Sequence, residues 1–134
     1  MKPLTREWIG KAEGDFTTAR RDVRARKAPN YDAACFHAQQ CIEKYLKARL
    51  QEEEIPFGRT HDLVALLNLL LPVEPSWEFL RLHLRTLTAF AVGVRYPGES
   101  ADKAMAREAL ALCRDVRRHI RLRAAQSVPL RFSK

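Results

Sequence analysis

The chain has 134 residues, of which 46% are hydrophobic and 30% charged, and its formal net charge is +8. That length serves one domain with a real core and not two, and this composition excludes a disordered chain. No apolar run approaches the ~20 residues that span a bilayer, so no membrane association is expected. Met1-Lys2-Pro3-Leu4 leads into charged sequence with no signal-peptide core, and the expected location is cytoplasmic. The positive charge suits an acidic partner, nucleic acid or protein, but an arginine-rich robust surface explains it equally well.

Helical periodicity dominates from end to end, and β-branched residues are too sparse for a competing strand. After Thr5, the positions Trp8, Ile9, Ala12, Phe16, Ala19 and Val23 form one core-facing stripe, which ends in the polar segment 24–27. Pro29-Asn30 breaks the chain, and Asn30 or Asp32 can cap a second helix from about Tyr31 to Glu54. Its apolar set is Ala34, Cys35, Ala38, Cys41, Ile42, Tyr45, Leu46 and Leu50. A turn over 56–58 precedes a short buried helix over 62–71, which Pro72 ends.

Ser76 is the expected N-cap of the fourth helix, whose inner stripe is Trp77, Leu80, Leu84, Leu87, Ala91 and Val94. Pro97-Gly98 signals a turn, and Ser100 is the expected cap of the last helix. There Met105, Ala109, Leu112, Cys113, Val116 and Ile120 line one face with arginines opposite. The expected fold is all-α: an antiparallel up-and-down helical bundle of four long helices and one short one. It occupies residues 1–125, and 126–134 reads as a basic, flexible tail. Cys35, Cys41 and Cys113 are odd in number and sit in helical contexts without a CxxC spacing, which predicts free buried thiols.

Three segments carry polar signals. In the second helix, His37, Gln40, Lys44 and Lys47 fall within one ~80° stripe away from the Ala38/Ile42/Tyr45 face. A solvated face would explain the stripe, with Glu43–Lys47 as an exposed i,i+4 pair of ~0.3–0.5 kcal/mol. The histidine and glutamines add a second reading: these side chains both donate and accept, which suits a polar seam between helices or subunits. In Arg59-Thr60-His61-Asp62-Leu63, Thr60 or Asp62 can cap the short helix. Capping leaves His61 unexplained, so it either pins the loop through its ring or takes part in a site. Arg95-Tyr96-Pro97-Gly98 closes the fourth helix, where Arg95 complements the helix dipole or grips a phosphate in bidentate fashion.

Trp8, the run His37-x-x-Gln40-x-x-Glu43-Lys44-x-x-Lys47-Ala48, Thr60-His61-Asp62-Leu63 and Arg95-Tyr96-Pro97 stand in this order. The whole resembles the HEPN family, the higher eukaryotes and prokaryotes nucleotide-binding domain, from about Trp8 to Ile120. The resemblance implies a homodimeric helical bundle that pairs with a small nucleotidyltransferase protein, as in toxin–antitoxin or stress modules. It also implies a nucleotide or RNA ligand, with His37, Gln40, Lys44, Lys47, His61, Arg95 and Tyr96 as binding or interface residues. Many members are metal-independent ribonucleases that use an arginine followed four to six residues later by histidine.

Arg95 matches the arginine by context, but Tyr96 through Asp102 contain no histidine. The one Arg-x4-His, Arg114 to His119, separates its members by ~140° on a continuous helix. A non-catalytic module is therefore expected, with neither metal nor cofactor. The alternatives are a ribonuclease with a non-standard set drawn from Arg95, His61, His37, Arg114 and His119, and a basic protein holding nucleic acid by charge alone.

Overall fold

A computed structural model of the protein describes the backbone of residues 1–93 and 96–132, with side chains through Ala124. Helix α1 spans Pro3–Arg24, with proline at a first-turn position where no backbone donor is needed. Its buried stripe of Ala12, Phe16, Ala19 and Val23 recurs every three or four residues, as the sequence spacing predicts. Trp8 and Ile9 are half-buried at the edge of this stripe. Helix α2 spans Tyr31–Glu52, and Asn30 caps it by accepting from Ala33 N at 2.9 Å. It stops two residues before the expected Glu54, which takes a left-handed φ of 58°.

Helix α3 covers Leu63–Leu70, and Asp62 rather than Thr60 caps it, accepting from Val64 N at 3.0 Å and Ala65 N at 3.2 Å. Ser76 does not cap the next helix. A 3₁₀ turn over Pro75–Phe79 comes first, and α4 runs Leu80–Gly93. The turn lets Trp77 bury under the bundle end before the chain continues as α-helix. Val94, part of the expected inner stripe, lies outside the described residues.

In the Tyr96–Glu99 turn Gly98 has φ 87°, and Glu99 N donates to Tyr96 O at 3.2 Å. That backbone suits glycine without strain, at the third position of a turn with proline before it. Helix α5 spans Lys103–Phe132, and its cap is Asp102 rather than Ser100, accepting from Met105 N at 2.8 Å. Its helical backbone thus extends beyond Ala124, where a separate tail was expected.

The chain order is up, down, up, down for α1, α2, α4 and α5, but the bundle is flattened. Helix α2 packs against each of the other helices, while α1 and α4 do not meet. The parallel pair α2 and α5 forms the short diagonal, joined at one end by Ala101 N donating to Asp32 Oδ1 at 2.7 Å. This central place explains why α2 buries Ile42, Tyr45, Leu46 and Leu50 and also Gln39, Glu43, Lys47 and Arg49. Cys35, Cys41 and Cys113 are free and buried.

Candidate functional site

The polar residues of α2 do not form a solvated face. Burial forces each charged group to find a partner, and α2 meets enough neighbours to supply one. His37 Nδ1 donates to Asp15 Oδ1 at 2.7 Å, and Lys44 Nζ donates to Asp15 Oδ2 at 2.5 Å. One carboxylate from α1 thus accepts from two members of the stripe.

Half a turn earlier on α1, Glu13 takes the Arg117 fork at 2.6 and 2.7 Å and also accepts from the Tyr45 hydroxyl. Arg121 Nη1 donates to Tyr45 Oη at 3.1 Å. The bidentate bond from Arg117, set against the opposing effect of burial, holds the Glu13 carboxyl down to about 2. Burial and the Glu13 carboxylate push the Tyr45 hydroxyl upward, and Glu13 raises Arg117 in turn. At the far end Arg49 Nε and Arg123 Nε both donate to Glu74, at 3.1 and 3.0 Å.

The remaining cluster involves His61. Glu43 and Lys47 pair at 3.0 Å with side chains only 4% and 7% exposed, so this is a buried bridge and not the exposed pair expected from spacing. Trp8 explains the difference: its ring lies 5.5 Å from Lys47 Nζ and packs edge-on against Phe57, covering the pair. The other Glu43 oxygen accepts from His61 Nδ1 at 2.9 Å, and Gln39 Nε2 donates to His61 O at 3.0 Å. A carboxylate only accepts, so Nδ1 carries the hydrogen, which leaves Nε2 as the acceptor of the neutral ring. The His61 side chain is 69% exposed against 4% for Glu43. A buried acid thus orients an imidazole that faces solvent, an arrangement able to move a proton at Nε2.

The other candidates fall elsewhere. Gln40 is half-buried and Tyr96 exposed. Arg95 lies outside the described residues. His119 packs its ring 4.9 Å from Phe79, which also meets His83, whereas Arg114 is an exposed residue earlier on α5. Sequence spacing missed Glu43 as the partner of His61, and Asp15 and Glu13 as anchors. Eighteen or more residues separate each pair, and no local pattern signals such contacts. The thiols offer little chemistry: burial raises Cys35 to about 11, and a bond from Cys113 together with burial raises Cys41. No group of three or more potential metal ligands occurs among the described residues, and no helix there is long and apolar enough to cross a membrane.

This architecture can be set beside known proteins. A family model described as the HEPN domain matches residues 5–122. The fold is similar to the crystal structure of an archaeal HEPN homologue, at TM-score 0.64 and 25% identity, covering 92% of this chain and 98% of that one. No curated protein matches the chain. The matched region runs from the first turn of α1 into the part of α5 that carries Arg117 and Arg121, and so includes part or all of every helix and the Glu13, Asp15 and Glu43 clusters, while Arg123 of the Glu74 cluster lies just beyond it. The chain belongs to the HEPN family.

Proposed function

We propose that the protein is a non-catalytic HEPN module that binds nucleotide or RNA, forms a homodimer and partners a small nucleotidyltransferase in a toxin–antitoxin-like or stress pair. The observation that carries this reading is the absence of histidine from Tyr96 through Asp102, where the arginine–histidine pattern of the ribonucleases needs one. The bundle chemistry agrees with it. His37 and Lys44 lock α1 onto α2 through Asp15, and Lys47 is engaged by Glu43 within α2, so all three are already used inside the chain. The outward groups left for a partner or ligand include Tyr96 and His61.

Light scattering on the purified protein should give twice the monomer mass. Co-expression with a small nucleotidyltransferase, where the adjacent reading frame encodes one, should give one complex on gel filtration. A persistent monomer that never co-elutes with that protein sinks the proposal.

One observation favours a second reading, a metal-independent ribonuclease: the Glu43-oriented, exposed His61 ring. Cleavage of several RNAs in chelator by wild type, abolished by His61→Ala and slowed by Glu43→Gln, would replace the module reading. Intact RNA with wild type removes the ribonuclease.

A further inference from the structure

We infer that the C-terminal half of α1 carries a phosphate-binding site built from Arg20, Arg21 and Arg24, separate from Arg95 and His61. These three side chains, with Thr17 and Ala25, line an open cavity of about 360 Å³. At 100° per residue, Thr17, Arg20, Arg21 and Arg24 fall on one ~100° stripe, turned away from the buried Ala12/Phe16/Ala19/Val23 stripe. Asp22 is the one carboxylate in residues 17–25, and it lies ~100° or more around the helix from each arginine.

What sets Arg20, Arg21 and Arg24 apart is their convergence on one cavity, since Arg6, Arg107 and Arg118 also lack a glutamate partner among the described residues. Arg49, Arg81, Arg117, Arg121 and Arg123 each pair with a glutamate. Among the described residues, Arg20, Arg21 and Arg24 pair with none. The helix dipole favours positive charge at this end, but it does not require three cations one turn apart, which repel one another. An anion seated among them removes that repulsion.

Arg20 is pre-positioned, its guanidinium 5.2 Å from the Phe16 ring centre, and Arg117 lies 4.3 Å from the same centre. Its fork is then presented with its stem already packed. Planar guanidinium forks match phosphate oxygens in bidentate fashion, and the Thr17 hydroxyl adds a neutral donor. The cavity is at the small end of ligand-site sizes and has no aromatic lining to hold a base. The site therefore takes the phosphate of a nucleotide or of a nucleic-acid backbone, without base preference. It stands on this geometry whether or not a nucleotidyltransferase partner exists.

Fluorescence anisotropy with labelled single-stranded RNA, competed by ATP or by tripolyphosphate, tests the site on the full chain. Replacing Arg20, Arg21 and Arg24 by alanine should weaken RNA binding about tenfold or more. It should also lower the slope of log K against log salt by about 0.7 per lost phosphate contact. A control set of exposed arginines, Arg6→Ala, Arg107→Ala and Arg118→Ala, should change binding far less. Competition by tripolyphosphate and ATP alike identifies the phosphate group as the ligand, and RNA binding that neither displaces assigns the site to the polynucleotide backbone. Arg21→Ala with Arg24→Ala, both exposed and clear of the core, gives the same readout if the triple variant unfolds. Equal losses in the test and control sets mean diffuse charge binding and overturn the site. So does the absence of binding to RNA, ATP and tripolyphosphate. Binding that survives the arginine changes intact overturns this site while leaving nucleotide or RNA recognition elsewhere in place.

Discussion

Glu13 joins three helices with one carboxylate, taking the Arg117 fork from α5 and the Tyr45 hydroxyl from α2. Its carboxyl titrates near 2 when folded against 4.5 when free, so the unfolded chain binds a proton there first as pH falls. The stabilisation is therefore whole above about pH 4.5 and is lost as pH falls toward 2. Glu13→Gln should cost about 1.5 kcal/mol at neutral pH, the low end for a charged hydrogen bond because the side chain is one-third exposed. It should also flatten the acid limb of stability between pH 4.5 and 2, read as urea midpoints across that range. An acid limb identical to wild type would remove Glu13 as its source. His61 differs in kind, because its anchor is buried while its ring faces solvent. The family motif drew attention to His61, but its chemistry depends on Glu43, eighteen residues earlier.

At the scale of elements, α2 combines apolar and charged burial in one helix. Removing Lys47 leaves Glu43 enclosed with, among the described residues, the His61 ring as its side-chain partner. Lys47→Ala should cost about 3 kcal/mol, whereas Glu43→Gln with Lys47→Met should cost less than the sum of the two single changes. Chemical denaturation of the four proteins in that cycle measures the coupling, and strict additivity would mean the pair contributes nothing. Helix α3 depends on its cap to a different degree. Asp62 satisfies two first-turn amides, so Asp62→Ala should lower stability by about 1 kcal/mol, while Thr60→Ala should do less. An effect of Thr60→Ala equal to that of Asp62→Ala would refute the assignment of the cap. Such caps are only partly legible in sequence: Asn30 and Asp62 stand where spacing put them, but Asp102 displaces Ser100 and a 3₁₀ turn displaces Ser76. Several residues near each helix start are able to cap it, and the path of the loop selects among them.

For the whole molecule, the flattened cross-section makes α2 and α5 a shared spine. Leu46 is fully buried on that spine. Leu46→Ala should cost about 3 kcal/mol and leave a single cooperative transition, since α1 and α4 both pack on α2 and α5. Calorimetry showing two transitions would contradict a single core. The same arrangement covers Glu43 and Lys47, because a helix with this many neighbours keeps little of its surface in water.

The sequence by itself determined the all-helical architecture, the breaks between helices, the free cysteines and membership in the HEPN family. These follow from apolar spacing, turn residues and ordered motifs, which are local properties of a chain. It also showed that no histidine follows Arg95 at the spacing the ribonucleases use. Only the tertiary structure decided which polar residues face water and which face one another. Asp15 joining His37 to Lys44, Glu43 orienting His61 and Trp8 covering Lys47 are all contacts between distant segments. Whether a charge on a helix is solvated or buried depends on how many neighbours that helix has, and helical periodicity does not encode that number.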